Sequence, residues 1–207
     1  MGKLMGKSVK RVEDLRFITG KGQYTDDITL PRMTFATIIR SPFAHANVKN
    51  IDFSAAKKSP GYVASFVGSD IPEGIAGVPC GWQVDFKNGD TMKEPPHPLL
   101  ARGKARYVGD AVAVVIAETQ AQAKDAAGLV DVEYEELPAV VNISEALKDG
   151  APQLHEEAPN NCIFEWELGS GMDVVNSALA SAAHVTKLDI VNPVSYTHLT
   201  LPTKRIV

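Results

Sequence analysis

Residues 105–137, ARYVGDAVAVVIAETQAQAKDAAGLVDVEYEEL, decide the fold of this chain. The apolar run Tyr107–Ile116 is interrupted once, at Gly109-Asp110, and nearly every residue after the interruption is apolar. Such a run is typical of a strand that is covered on both faces. The order of patterns therefore predicts strand, tight turn, strand, helix and strand within one compact α+β unit.

A helix with a small-residue face follows the apolar run. Thr119 and Gln122 fit a T-x-x-Q capping box, which marks a helix start. Apolar residues then recur at the i, i+3, i+4 and i+7 spacing of one helix face, at Ala123, Ala126, Ala127 and Val130. Because three of the four are alanine, the helix can lie very close to the sheet. The alternation in Val130–Tyr134 predicts a half-buried strand, which ends before Pro138.

Three sequence blocks resemble the α/β hammerhead domain that opens the large subunit of molybdenum hydroxylases, the family of xanthine dehydrogenase, aldehyde oxidase and aerobic carbon monoxide dehydrogenase. The first block combines Tyr107–Ala113, the alanines of Ala121–Ala127 and Val132–Pro138. The other two are RVEDLRFITGKGQYTDDI, residues 11–28, and RSPFAHA, residues 40–46. All three appear in family order, and the likeness extends from about residue 11 to residue 192.

The resemblance implies an α+β chain in four parts. A polar lead-in covers residues 1–10, and the α/β hammerhead domain covers 11–150. Residues 151–192 form a linker and the first strands and helix of an incomplete molybdenum-cofactor-binding domain. Strands are expected there at Cys162–Leu168 and Val185–Val191, around a helix at Met172–Ala183. Residues 193–207 resemble translated sequencing-adaptor DNA and are expected to be a non-native tail.

The rest of the chain shows weaker signals for secondary structure. Strands are expected at Thr34–Arg40, Val48–Asp52, Tyr62–Val67 and near Trp82–Phe86, a helical turn at Phe53–Lys58, and a short capped helix from Asn142 to Gly150. Residues 69–104 are rich in glycine and proline, and this composition predicts a long surface loop.

Composition excludes several classes of protein. The chain has 207 residues, 44% hydrophobic and 22% charged, with a net charge of −4, so there is no basic footprint for nucleic acid. No apolar run approaches the ~20 residues of a membrane span, and the N-terminus lacks the apolar stretch of a secretory signal. Cys80 and Cys162 match no metal spacing. A cytoplasmic protein is expected.

The glycine and histidine motifs carry little chemistry. Gly6-Lys7-Ser8 lacks the preceding glycine and strand of a phosphate loop, and Gly20-Lys21-Gly22 lacks the third glycine of a dinucleotide loop, which favours a turn. The histidines are isolated from one another in sequence, at His45, His97, His155, His184 and His198. Only His45 lies inside a family-like motif, where it is expected to orient a turn or a subunit contact.

The charged and aromatic clusters have structural interpretations. Neighbouring carboxylates at Asp26-Asp27 and Glu135-Glu136 would face opposite ways on an extended segment and could not form a general acid/base pair there. They are expected to be solvated turn and edge charges. The charges within residues 11–16 indicate either a bond across to another subunit or a self-contained salt-bridged turn. Trp82 and Phe86 could line a funnel or cover the core.

The resemblance also implies the chemistry of an intact parent. Family members are oxidoreductases whose large subunit holds a molybdenum–molybdopterin cofactor, while partner subunits carry iron–sulfur clusters and FAD. A large-subunit homodimer and a small-molecule substrate are expected. The family's pterin loops and its glutamate base are expected beyond the end of this sequence. No catalytic, cofactor-binding or metal-binding residue is therefore assigned, and this fragment alone is expected to be inactive.

Two alternatives stay open. The chain could be a free-standing hammerhead module for binding or assembly, which a native stop codon after the fold would favour. It could also be an unrelated small enzyme that uses its own Asp, Glu or His residues. Within the family, the residue 11–28 block looks nearer to the carbon monoxide dehydrogenase branch, although carbon monoxide, aldehydes and N-heterocycles are all open as substrates.

Overall fold

The computed structural model describes residues 6–75, 77–84, 89–166 and 169–189. Within these ranges the strands are β1 Phe35–Arg40, β2 Ala46–Asp52, β3 Tyr62–Val67, β4 Lys104–Ala105, β5 Ala111–Ala117 and β6 Asp131–Glu136. The α-helices are α1 Asp14–Ile18, α2 Gln120–Gly128, α3 Ile143–Ala146 and α4 Met172–Ser181. Short 3-10 turns lie at Thr25–Asp27, Ala56–Lys58, Gly68–Asp70 and Pro159–Asn161. The α+β class is confirmed.

The first sheet has the order β1-β5-β3, with both pairs antiparallel. Its central strand β5 has no exposed residue, but Val114 and Ile116 are only half-buried, so one face is covered less completely than the apolar run predicts. Strand β5 begins at Ala111. The strand structure expected immediately before Gly109 is therefore wrong for Tyr107 and Val108. Tyr107 and Val108 belong to a turn and are 48% and 65% exposed. Gly109 produces this break because its φ of 93° suits glycine.

Helix α2 covers one face of this sheet, as its alanine spacing predicts. The Thr119 hydroxyl caps the helix by accepting a hydrogen bond from the Gln122 backbone N–H at 3.2 Å. Ala123 and Ala126 are fully buried, and Ala126 shares a core with Val115 of β5. Side chains of this size let the helix backbone approach the strand closely.

The second sheet has the order β4-β2-β6, again antiparallel. Tyr134 of β6 and Val48 of β2 pack against a second core that contains Val112. Val112 belongs to β5, so the central strand of the first sheet contributes to both cores. The expected β6 alternation is confirmed, with Val132 and Tyr134 partly buried between exposed neighbours.

Three expected strands are wrong in their described parts. Trp82–Val84, Cys162–Trp166 and Val185–Asp189 have no strand assignment, while residues 85–86, 167–168 and 190–191 lie outside the described residues. An extended segment becomes a strand only when a neighbour accepts its backbone hydrogen bonds. In the part of the chain that the structure describes, neither sheet includes any of these segments. The expected helix from Asn142 is also shorter, since α3 ends at Ala146.

The chain divides into two compact units, Met1–Glu165 and Trp166–Val207. In the second unit, helix α4 confirms the helix expected at Met172–Ala183, and none of its residues is buried. The tail at residues 193–207 lies outside the described residues. Across the described ranges, no helix is long and apolar enough to cross a bilayer.

Candidate functional site

Two of the family-like blocks meet where β1 ends and β5 begins. The Ser41 N–H donates to the Asp110 carbonyl at 2.8 Å, and the Gly109 N–H donates to the Ser41 carbonyl at 2.8 Å. A guanidinium nitrogen of Arg40 donates to the Gly109 carbonyl, also at 2.8 Å. These reciprocal bonds fasten the turn before β5 onto the turn after β1.

Ser41 is 2% exposed and closes a turn rather than presenting a nucleophile. Its hydroxyl accepts a hydrogen bond from the Phe43 N–H at 3.1 Å and donates to the Phe43 carbonyl at 3.0 Å. Phe43 in turn packs against Tyr134 with ring centroids 5.2 Å apart. Since both functions of the hydroxyl are used locally, Ser41 has a structural role in this arrangement.

His45 is 5% exposed and joins the start of β2 to the segment after β6. Its Nδ1 lies 2.7 Å from the Pro138 carbonyl oxygen, and its own carbonyl accepts from the Leu137 N–H at 2.9 Å. A carbonyl only accepts, so Nδ1 carries the hydrogen, and Nε2 of the neutral ring is an acceptor. This Nε2 is buried and has no hydrogen-bond partner among the described residues.

Asp110 organises the turn that precedes β5. Its carboxylate accepts a hydrogen bond from the Arg106 backbone N–H at 3.0 Å. Burial raises the pKa of the Tyr107 phenol, and the nearby Asp110 carboxylate raises it further. Burial likewise raises the pKa of Tyr134; the neighbouring Ser41 side chain opposes this shift, and the Asp110 charge adds to it.

His155 belongs to the segment after α3, which is hydrogen-bonded to the turn before β5. The Arg106 Nε donates to the Leu154 carbonyl at 2.9 Å. Burial lowers the pKa of His155, and the Arg106 charge lowers it further. The buried Nδ1 of His155 and the Tyr134 hydroxyl have no hydrogen-bond partner among the described residues. His45, Asp110, Tyr134 and His155 lie within electrostatic reach of one another inside the first unit and are called here the polar cluster.

A cavity of about 420 Å³ adjoins this polar cluster. Its walls include Pro96, Arg106, Tyr107, His155 and Ile163. Over the described part of the chain, no three His, Cys, Asp or Glu side chains converge in a way that could hold a metal ion.

The remaining candidate residues do not belong to this cluster. Asp26 and Asp27 lie in an exposed 3-10 turn, as expected for solvated turn charges, and the Asp27 carboxylate accepts a hydrogen bond from the Tyr24 N–H at 2.9 Å. Glu135 pairs with Lys49 at 2.7 Å on the surface. Trp82 is 65% exposed, His97 lines the cavity, and His184 is exposed. Phe86 and His198 lie outside the described residues.

The charges of residues 11–16 form a self-contained turn in the first unit. Arg11 pairs with Asp14 at 3.8 Å, and Arg16 pairs with Glu13 at 2.5 Å. These pairs fit the expected salt-bridged turn, and a bond to another subunit stays a prediction. Sequence reasoning did not predict that Asp110, Tyr134 and His155 belong to the polar cluster, or that Arg106 lies beside it. The one available signal was Asp110, a charged residue that interrupts an apolar run.

Comparison with known proteins gives a family for this arrangement. Residues 19–138 match the family model described as aldehyde oxidase and xanthine dehydrogenase, a/b hammerhead domain. The chain is 36% identical over 182 residues to the nicotine 6-hydroxylase large subunit of Paenarthrobacter nicotinovorans, covering 88% of this chain and 21% of that protein. It is also 36% identical over 196 residues to the carbon monoxide dehydrogenase large chain of Afipia carboxidovorans, covering 88% and 23%.

Solved structures support the same family assignment. Reconstituted CO dehydrogenase from Oligotropha carboxidovorans superposes with a TM-score of 0.71 at 33% identity, over 87% of this chain and 22% of that chain. Quinoline 2-oxidoreductase from Pseudomonas putida 86 gives 0.63 at 41% identity, over 74% and 19%. The chain spans about a fifth of the length of the curated relatives it matches. Through its hammerhead domain, the chain belongs to the aldehyde oxidase and xanthine dehydrogenase family.

Proposed function

We propose that this chain is the N-terminal hammerhead region of the large subunit of a molybdenum-dependent hydroxylase, and that its role there is scaffolding and subunit contact. One observation carries the proposal: the family match over residues 19–138, within a chain that covers only 21% and 23% of two large subunits. In this proposal the polar cluster of His45, Asp110, Tyr134 and His155 holds the scaffold together and takes no part in chemistry.

The proposed parent is an oxidoreductase that acts on a small molecule. Its large subunit holds a molybdenum–molybdopterin cofactor and forms a homodimer, and partner subunits carry iron–sulfur clusters and FAD. The name of one relative supports the molybdenum cofactor: it is a xanthine dehydrogenase molybdenum-binding subunit of Escherichia coli O157:H7, 36% identical over 146 residues. We place the complex in the cytoplasm. The 207-residue chain is inactive alone in this proposal.

The surface of the first unit supports a scaffold role. Ile38 of β1 and Phe66 of β3 both pair with Val114 of β5, so the three side chains lie on one face of the sheet. Helix α2 covers the opposite face. Ile38 and Phe66 are 45% and 43% exposed. Neighbouring exposed apolar residues on one sheet face are typical of a surface that another part of a protein covers.

The division of the chain follows from the same proposal. Residues 1–10 are a lead-in, 11–150 are the hammerhead domain, and 151–192 begin the molybdenum-cofactor-binding domain. Residues 193–207 are a non-native tail. The exposed apolar residues of α4 support the assignment of residues 151–192 to the start of a further domain. Val174 and Leu179 are 64% and 49% exposed and need further chain to cover them.

Two measurements test the proposal. The source DNA beyond the codon for Asn192 should continue in frame into the rest of a large subunit; a native stop codon there would instead favour a free-standing module. The purified 207-residue chain should contain less than stoichiometric molybdenum by mass spectrometry and should not oxidise carbon monoxide, aldehydes or N-heterocycles. Stoichiometric molybdenum together with turnover would contradict the scaffold role.

A further inference from the structure

Three buried polar atoms of the first unit have no hydrogen-bond partner among the described residues: His45 Nε2, the Tyr134 hydroxyl and His155 Nδ1. His45 as a whole is only 5% exposed. A buried polar atom without a partner costs free energy, and in folded proteins such atoms are satisfied by other protein groups or by ordered water. These three atoms therefore mark a place where a partner from outside the chain belongs.

On one side of the polar cluster, hydrogen bonds lead from Asp110 to His155. The Asp110 carboxylate accepts from the Arg106 backbone N–H at 3.0 Å, and the Arg106 Nε donates to the Leu154 carbonyl at 2.9 Å. His155 is the next residue, and it lines the cavity of about 420 Å³ together with Asp110. Because one molecule of liquid water takes up about 30 Å³, the cavity has room for several beside His155.

On the other side, the turn after β1 leads from Asp110 to Tyr134 and His45. The Asp110 carbonyl accepts from the Ser41 N–H at 2.8 Å, and the Ser41 hydroxyl closes this turn on Phe43. The Phe43 ring packs against the Tyr134 ring with centroids 5.2 Å apart, and His45 follows Phe43 by two residues. The three unpaired atoms thus surround one interior region of the first unit.

The chemistry of these atoms restricts the partner. The hydrogen on His45 Nδ1 points to the Pro138 carbonyl, so Nε2 accepts and its partner must donate. An anion that only accepts cannot do this, and the opposite charges of Arg106 and Asp110 beside the cavity favour neither an anion nor a cation. His45 and Tyr134 do not line the cavity, so the molecule that reaches them is small. Water is neutral and small, and it both donates and accepts.

We propose that the polar cluster is a buried hydration site, in which ordered water donates to His45 Nε2 and hydrogen-bonds to the Tyr134 hydroxyl and to His155 Nδ1. A buried water makes about three hydrogen bonds to groups that are otherwise unpaired. The water connects the second sheet, which ends beside His45 and includes Tyr134, to the segment after α3 that carries His155. The inference is independent of the catalytic activity proposed for the parent.

A high-resolution crystal structure of the full chain tests the proposal directly. The expected result is ordered water at about 2.6–3.2 Å from each of the three atoms. Three outcomes would overturn it: well-defined density with no water at His45 Nε2, a direct hydrogen bond from the Tyr134 hydroxyl to the Ser41 hydroxyl, or a small organic molecule in place of the water.

The variant Tyr134→Phe gives a second test, in which the sign of the effect decides. If water satisfies the hydroxyl, removing it loses a buried hydrogen bond and should lower the melting temperature by about 2–4 °C. If the hydroxyl is unpaired, removing it relieves a desolvation cost and raises the melting temperature. Tyr24→Phe, at a tyrosine that is 66% exposed, is the matched control and should stay within about 1 °C. An unchanged or raised melting temperature of Tyr134→Phe would overturn the proposal.

Discussion

The Nδ1 atom of His45 lies 2.7 Å from the carbonyl oxygen of Pro138, 93 residues further along the chain. This bond ties the start of β2 to the end of the hammerhead unit. It also fixes which ring nitrogen carries the hydrogen and leaves the buried Nε2 without a hydrogen-bond partner among the described residues. His45 is therefore a buried connector between two distant parts of the chain.

We expect His45→Ala to lower the free energy of unfolding by about 1–3 kcal/mol, because it removes a buried ring together with its hydrogen bond to the Pro138 carbonyl. Urea unfolding followed by circular dichroism measures this. His184→Ala, at an exposed histidine, is the matched control and should change the free energy of unfolding by less than about 0.5 kcal/mol. Equal effects of the two substitutions would contradict the connector role.

His155 should make stability depend on pH. Burial and the Arg106 charge lower its pKa below 6.5 in the folded chain. The unfolded chain therefore binds a proton more readily, and stability falls as pH decreases from about 6.5 towards the folded-state pKa. His155→Gln should flatten the dependence of melting temperature on pH between about 6.5 and 5, above the range where carboxylates titrate. An unchanged slope in this variant, with His184→Gln as control, would refute the assignment.

The alanine face of α2 allows a sharp packing test. Ala126 is fully buried against β5, so Ala126→Leu should cost about 1–3 kcal/mol of stability through overpacking. Ala121 lies on the same helix and is exposed, and Ala121→Leu should be nearly neutral. Thermal unfolding compares them. A stabilised Ala126→Leu variant would show that the helix can move away from the sheet without loss.

Asn161 holds the segment after α3 with its side-chain amide. It donates to the carbonyls of Ala146 and Pro152 at 3.0 Å and accepts from the Leu154 N–H at 3.0 Å. Asn161→Ala should remove these bonds, at about 1 kcal/mol each, and speed hydrogen exchange and proteolysis over residues 146–161. Asn160→Ala is the matched control, because Asn160 and Asn161 have φ values of 56° and 55°. Equal proteolysis of both variants would count against this role.

Two truncated chains should show how much the segments after Gly150 and after Glu165 contribute to stability. A chain that ends at Glu165 loses a segment whose described residues are exposed, so it should melt within about 1 °C of the full chain. A chain that ends at Gly150 also loses the Arg106–Leu154 and Lys93–Ile163 bonds. Its melting temperature should fall by about 4 °C or more. Identical melting of the two truncated chains would contradict a structural role for residues 151–163.

Sequence periodicity predicted the fold where local pattern and tertiary packing agree. The β5–α2–β6 region followed from apolar runs, a Thr119 cap and an alanine face, all of which are local signals that burial reinforces. The expected strands at Cys162–Leu168 and Val185–Val191 failed in their described residues because a strand needs a partner, and pattern within one segment does not reveal one.

The candidate site was harder to predict for the same reason. His45 stood out because it lies in a family-like block, yet its partner is the backbone of Pro138. Asp110, Tyr134 and His155 come from three separate elements and meet only through the tertiary fold. No spacing rule in a single sequence links them. The resemblance identified the domain without identifying this cluster.

The strand pairing has a consequence during protein synthesis. β1 pairs with β5, and β2 pairs with both β4 and β6, so neither early strand has a neighbouring partner in sequence. A nascent chain must therefore emerge from the ribosome through Ala117 before the first sheet can be completed, and through Glu136 before the second sheet can be completed. Until then its apolar strands stay open to chaperones and to association with other nascent chains.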